Sequence, residues 1–489
     1  MERPHSLVCI ALLSLTACGP TRLPEAELSD LCGQPGPVRL MALDPGEMVG
    51  GSTLHIPAPT DRIVLVTSRL GIGDNRLDEE DGAQSRVWSV DPCGESATQI
   101  AEGLDLVWTE PHWDDRLLGC NAAGDDIYVL DADGVLPPRL AFEGTGCRGR
   151  WTNYGFVPRQ VADDDGFGPA LLYPYPEGNG EVAEPVTVHP GLFSMDGAIA
   201  AGRGWPRVTD TEILALSRDG NLVRVDLETS AVSVEAQEVF DFRASDDRLL
   251  TQEHGDGQGH SGPIFMTDRD TQSTTYLMDG VLSESYAPFD VRGRSTVIIA
   301  TGAPDGELRV LHPPATDDIS VLGGYWLAGL LEDGRLLLAQ GGGGPYALLD
   351  PDTGEQTEIF DREADVSLAQ DGIVLHDVPT CCRHEEGYRV EGALLLERYA
   401  GGQEMLAARA ARGWRRNPDA RIVARIDIDQ DNVGRLIAID PTSGGQERVV
   451  HAAVSQIFGV AAWPNDLWYS TADRDPAVYR ARLKADSPR

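Results

Sequence analysis

An all-β body, closed into a ring of small antiparallel sheets, is the fold that the sequence predicts, and three observations predict it. A turn ending in Asp or Gly repeatedly leads into four or five apolar residues, and a second apolar run then ends on Asp and another turn. The pair recurs after roughly 36 to 55 residues, a spacing in the range of blade-type repeats. Helical periodicity is scarce: the best helical stretch, Glu404 to Arg416, is short and interrupted by Gly413. A small sheet that cannot bury both faces alone must stack on its neighbours, and a ring of such sheets must close to protect its ends. That is a β-propeller.

The chain opens with an apolar run from Leu7 to Leu15 that ends in Leu15-Thr16-Ala17-Cys18. The run is too short to span a bilayer, which takes a helix of about 20 residues, and reads as a processing segment. The motif resembles the lipobox of bacterial lipoprotein signal peptides. The resemblance implies a signal peptide over residues 1–17, lipidation at Cys18, a lipidated tether over 18–37 and a propeller domain over 38–489. It places the chain in the cell envelope, attached to a membrane through lipid. Gly19 after the cysteine fits the outer membrane, on its periplasmic or surface face.

The strands follow in order. Asp61-Arg62-Ile63-Val64-Leu65-Val66, Asp115-Arg116-Leu117-Leu118, Asp247-Arg248-Leu249-Leu250, Gly334-Arg335-Leu336-Leu337-Leu338, Gly372-Ile373-Val374-Leu375 and Asp466-Leu467-Trp468-Tyr469 each announce a strand by its turn. Second strands follow at Val87 to Val90, Leu222 to Val225, Ala347 to Leu349 and Leu436 to Ile439. About ten such units occur, and because four to eight blades are usual, eight are expected, within a range of seven to ten. Closure is expected from Val38 to Leu43 pairing near Ala477 to Arg482.

Pro111-His112-Trp113-Asp114-Asp115-Arg116-Leu117-Leu118, continuing to Ile127-Tyr128-Val129-Leu130-Asp131, resembles the repeat of TolB-type (PD40, WD40-like) β-propellers, and Gly459 to Tyr469 echoes its first half. The Asp350 to Gly354 turn is similar to that of quinoprotein-like propellers, without their docking tryptophan. These resemblances imply architecture and carry no function. Trp113 and Trp463 stand at equivalent repeat positions, where aromatics fill the space between sheets.

Eight cysteines are present; Cys9 leaves with the signal and Cys18 would carry lipid. The remaining six, Cys32, Cys93, Cys120, Cys147, Cys381 and Cys382, suit disulfides in an oxidising compartment and fall in no zinc spacing. Six allow 15 pairings. Cys32 with Cys93 and Cys120 with Cys147 are expected, since both pairs lie within one early region. Adjacent Cys381 and Cys382 would form only a strained ring.

Acids number 78 against 40 bases, a net −38, which repels phosphate backbones and argues against a nucleic-acid partner. The same charge repels anionic headgroups, so lipid alone would hold the body at a membrane.

No cofactor is required by any motif. Asp427, Asp429 and Asp431, with oxygens at alternating positions, form the sharpest candidate for a metal, and calcium is the ion they suit. The departures are Asn432 where such a loop has Gly and Ala438 where an EF-hand has Glu; solvated acids at a hairpin tip are the simpler account. Asp163-Asp164-Asp165 and the acidic stretch Asp74 to Asp81 read as hydrated loops, His254 and His260 as a flexible polar loop, and Gly341 to Gly344 as a hairpin turn. His376, Cys381, Cys382, His384 and Glu385 gather in another loop without a catalytic pattern. Arg409, Arg412, Arg415 and Arg416 form a basic cluster that balances nearby acids. No catalytic residue is assigned. The function expected is a lipid-anchored envelope propeller that binds or scaffolds an envelope protein or glycan; the alternative is a hydrolase or lyase acting on carbohydrate or peptide at the central channel.

Overall fold

A computed structural model describes residues 23–484, apart from 58–60, 70–84, 122, 160–162, 164, 177–183, 194–205, 256–260, 283–288, 301–307, 314–317, 322–323, 341–343, 363, 369–371, 378–390, 399–401, 412–414, 417–420, 430–432, 441–444 and 460–464. The body is β throughout. Among the described residues the one helical element is the 3-10 turn Pro111–Trp113, and none is long and apolar enough to cross a membrane.

Eight four-stranded antiparallel sheets succeed one another along the chain, over 47–102, 104–142, 149–193, 207–236, 239–280, 289–321, 325–360 and 365–411. A seven-stranded sheet completes the body. Its central strand, Gln446–Phe458, pairs through its first half with Gly434–Ile439 and through its second half with Asp466–Thr471. One long strand therefore serves as the outer edge of a ninth unit and the inner strand of a tenth. The described residues thus make eight four-stranded sheets and one seven-stranded sheet that reads as two units sharing a strand, inside the expected range of seven to ten.

Apolar burial follows the same arithmetic. Ten clusters of buried side chains each lie between consecutive sheets. Nine of them join sheet to next sheet, and one joins the last to the first: Phe458, Trp468 and Val478 meet Val49, Ile63, Leu65 and Val90. The alternation of strand side chains supplies both faces, which is why the middle strands read as nearly continuous apolar runs, such as the fully buried Ile63, Val64 and Leu65.

Val38–Ala42 pairs antiparallel with Ala477–Arg482, Val38 opposite Arg480 and Ala42 opposite Ala477, so a strand from the N-terminal side completes the last sheet. From Leu23 onward the stretch read as a tether is laced to the ring. Glu25 bridges to Arg448 and Leu28 to Leu483, while Leu23, Ala26 and Leu28, and Leu31 pack in turn on the eighth-ninth, ninth-tenth and tenth-first interfaces.

Gln403–Ala411, within the stretch with the best helical pattern, is a strand. It is rich in helix formers, yet it hydrogen-bonds along Glu391–Arg398 and buries Leu406, Ala407 and Ala410 against the ninth sheet. Tertiary pairing overrides propensity here. Arg409 lies exposed on that strand, and Arg415–Arg416 pairs with Ile422 and Val423; Arg412 lies outside the described residues. The turn containing Gly344 joins two paired strands, Leu336–Gln340 and Tyr346–Leu349, as a hairpin turn should.

Candidate functional site

The third and fourth sheets leave a cavity of about 350 Å³ between them, lined by Arg148, Gly149, Arg150, Val157, Pro158, Arg159 and Leu192 from the third and by Pro206, Arg207, Val208 and Ile213 from the fourth. Its size sits at the lower end of the range for small-ligand pockets.

The strand Gly149–Thr152 pairs with Gly155–Pro158, placing Arg150 opposite Val157 and Trp151 opposite Phe156. Successive side chains alternate between faces, so Arg148 and Arg150 share the face that looks at the fourth sheet. Trp151 and Phe156 take the other face and join the cluster shared with the second sheet. Gly149 is required between the two arginines: a Cβ there would lie 2.4 Å from the Val157 carbonyl oxygen and 2.6 Å from the Phe156 ring.

A disulfide fixes where this strand begins. Cys147 is joined to Cys120 of the second sheet, with Cα atoms 6.0 Å apart, and the Cys147 amide donates to Gly124 O at 2.8 Å. Arg148 follows directly. From the fourth sheet, Arg207 is steered by the fifth, donating to the Ser245 carbonyl and the Asp246 carboxylate. Arg148 and Arg150 are exposed, and no described residue forms an ion pair with either.

Turns at the opposite end of these strands identify the axis of the ring. His112 Nδ1 lies 3.0 Å from Asn153 Oδ1, His112 Nε2 lies 3.5 Å from Asp210, and the Asn153 amide donates to Asp210 O at 2.9 Å. These residues belong to turns of the second, third and fourth sheets. Sheets two apart can touch only where the wedge narrows, so the first strand of each faces the channel.

Glu110, at the end of Leu104–Glu110, is 3% exposed beside these turns. Burial raises its carboxyl above the ordinary carboxylate range, against the donated His112 amide and the nearby charges of His112 and Arg150. Aromatic rings wall it in: Trp113 stacks on Tyr175 at 5.4 Å and Trp108 lies 6.0 Å from Trp151. Tyr175 donates to Thr152 O at 2.5 Å, and burial holds its phenol well above the ordinary value.

The residues singled out from sequence are scattered. Cys32 and Cys93 are joined, Cα atoms 5.6 Å apart, linking the N-terminal stretch to the first sheet. Asp427 pairs with Arg435, and Asp429 accepts from the Val433 amide at 3.0 Å, both within the turn joining Ile422–Ile426 to Gly434–Ile439. Among the described residues no three His, Cys, Asp or Glu side chains gather as a metal site. His376 is buried inside its strand and bonds to Ala410 O, and His254 packs against Phe240. Asp163 pairs with Arg218 and caps its own turn by accepting from the Phe167 amide. Trp113 fills the space between the second and third sheets. Cys18, Cys381, Cys382, Asp431, Asp164, the stretch 74–81, His260, His384, Glu385 and Trp463 lie outside the described residues.

Sequence reasoning passed over the cavity. Its trace was present as two short basic groups, Arg148-Gly149-Arg150 and Arg203 to Arg207, on an otherwise acidic chain.

No family model and no curated protein matches the chain. Among solved structures it is similar to BamB from Moraxella catarrhalis, at 17% identity over 68% of this chain and 95% of that one, with a TM-score of 0.30. It is similar to the tricorn protease at 12% identity over 89% of this chain and 54% of that one, TM-score 0.28. An oligogalacturonate lyase in complex with manganese matches at 12% identity over 91% and 99%, TM-score 0.26. At such scores no activity, ligand or partner passes from those proteins to this chain.

Proposed function

We propose that the chain is a lipid-anchored propeller of the cell envelope that works as a binding module. The observation that carries this reading is the cavity between the third and fourth sheets, whose lining among the described residues is guanidinium and apolar side chain, with no carboxylate, imidazole, hydroxyl or thiol among them. Such a lining can hold a ligand, and among the described residues it offers no nucleophile or proton carrier to transform one. The Leu15 to Cys18 motif supports the lipid anchor, and two disulfides suit an oxidising compartment. The envelope partner would be a protein or a glycan.

The test is membrane extraction of the full chain followed by intact mass and affinity capture. The expected result is a mature N-terminus at Cys18 bearing acyl mass, with an envelope partner retained at physiological salt. An unmodified chain in the soluble fraction, or capture of nothing, overturns the reading.

A second reading, a hydrolase or lyase acting on carbohydrate or peptide at the channel, is favoured by Glu110. A buried carboxyl with a raised pKa beside His112 and Asp210 has the character of a general acid. Turnover of a glycan or peptide that is lost in Glu110→Gln would establish it; no turnover in the wild type removes it.

A further inference from the structure

We propose that the cavity between the third and fourth sheets binds a carboxylate carried on a small apolar group, with Arg148 and Arg150 holding the carboxylate and the half-buried Pro206 and Val208 taking the apolar part above the buried Val157, Leu192 and Ile213. The proposal rests on the binding-module reading and names the ligand of the same site.

Charge is the first argument. With 78 acids against 40 bases, most basic groups of this chain have an acid to pair with, and Arg39, Arg86, Arg207, Arg218, Arg248 and Arg292 all do. Arg148 and Arg150 stand side by side on one strand face without an ion pair among the described residues. Their Cα atoms stand about 6–7 Å apart, as two positions along a strand do, so the two like charges repel and an anion between them relieves that repulsion.

Preorganisation is the second. The strand is fixed at its start by the Cys120–Cys147 disulfide and held against its partner by a glycine that tolerates no side chain. The third sheet therefore presents both guanidinium groups from a rigid element, and less ordering is lost on binding. Guanidinium matches a carboxylate with two parallel hydrogen bonds.

The ligand's charge is limited by what surrounds the pair. Arg207 is paired with Asp246 and Arg159 is not without a partner, which leaves Arg148 and Arg150, the latter close enough to Glu110 to act on its carboxyl, so the unbalanced charge is one to two rather than four. A monoanion fits this better than a phosphate dianion, which would also face the net −38 of the chain. The apolar walls call for a ligand with carbon to bury, and about 350 Å³ admits one of the size of a short-chain acid or a C-terminal residue.

Free acid and chain terminus share this chemistry, and titration calorimetry on the full chain separates them. The probes are hexanoate, hexanamide, hexyl phosphate, and a tetrapeptide ending in Val-Leu with either a free or an amidated C-terminus. Hexanoate and the free-acid peptide are expected to bind and both amides to fail. Tighter binding of hexanoate assigns a small acid, and tighter binding of the peptide assigns a chain terminus. Arg148→Gln with Arg150→Gln should weaken binding about tenfold or more for each guanidinium removed. Val208→Trp, which fills the cavity from the apolar side and leaves both arginines in place, should abolish it. Binding unchanged in either variant, equal binding of hexanamide, tighter binding of hexyl phosphate, or no binding of any probe overturns the proposal. If membranes still yield a captured partner after such a failure, the binding module stands without this ligand. If hexanoate binds and nothing is captured, the ligand stands and the envelope module falls.

Discussion

Two interfaces of the same ring, between the tenth and first sheets and between the third and fourth, are built from the same alternating strands and finished in opposite ways. The tenth-first seam is filled and fastened. Arg480 donates to Asp466 at 2.6 Å and to Pro92 O of the first sheet at 3.1 Å, and its guanidinium lies over Trp468. The next residue after Pro92 is Cys93, disulfide-bonded to Cys32, and Leu31 is buried in the cluster beside it. Gln456 donates to Val49 O at 2.8 Å and Thr53 to Gly459 O at 2.5 Å, so the inner strands are tied as well. The third-fourth interface buries its own apolar cluster and beside it leaves a cavity with two exposed arginines at its edge. A ring has one place where the chain is not continuous, and cross-links gather there because no peptide bond does the holding. An interface between sheets adjacent in sequence can leave space open without risk to closure.

The largest effect is expected at the seam. Asp466 is fully buried between Arg480 and Arg482, so Asp466→Ala strands a buried guanidinium and should cost about 3–5 kcal/mol in denaturant unfolding. A loss below about 1 kcal/mol would mean that the ion pair does not hold the ring. Next, Cys32→Ala with Cys93→Ala releases a crosslink spanning 61 residues and should cost about 2–4 kcal/mol, with the loss reproduced by reduction of a Cys120→Ala, Cys147→Ala protein that keeps only this crosslink. Should the Cys120→Ala, Cys147→Ala protein lose more, the contrast between the two regions would be reversed. Near the channel the effects are smaller and depend on pH. The pKa of Glu110 is raised by burial, so its contribution is present below the ordinary value of 4.5 and is lost as pH rises through the raised value of the folded protein. Glu110→Gln should therefore gain stability on the wild type as pH climbs through that window, as read from denaturant midpoints at several pH values; a constant offset would refute the assignment. At the cavity, Arg148→Gln with Arg150→Gln should shift stability by no more than about 0.5 kcal/mol, because both side chains are exposed. Chelation of calcium should have the smallest effect: with Asp427 paired to Arg435, the unfolding midpoint should stay where it is. A drop would support the metal expected at Asp427, Asp429 and Asp431.

Legibility in the sequence tracked the range of the interaction. Asp61-Arg62-Ile63 and Asp247-Arg248-Leu249 announce their strands because a turn and the apolar run after it are local, and the observed strands Arg62–Arg69 and Arg248–Glu253 begin there. The closing strand Val38–Ala42 was legible because a ring requires one and its run is apolar, although a register shift between Arg39 and Met41 breaks its alternation. The number of units was less legible: about ten repeats are visible, but the usual four to eight blades argue for fewer, and Gln446–Phe458 pairs on both sides with no residue marking a boundary. Gln403–Ala411 misleads because its composition favours a helix while the eighth sheet needs its fourth strand. The cavity was illegible for a plainer reason: Arg150 and Arg207 are 57 positions apart, and only the stacking of two sheets brings their segments to one space.

By itself the sequence determined the local rules of this protein: short strands, their turns, the cysteines that could pair, and an acidic surface, all set by residues near one another or by composition. Only the tertiary structure decided that ten units share a ring, that residues 23–37 brace its seam, and which interface keeps an opening. The physical reason is that sheet-on-sheet packing depends on summed volumes across faces far apart in sequence, and no single segment records that sum.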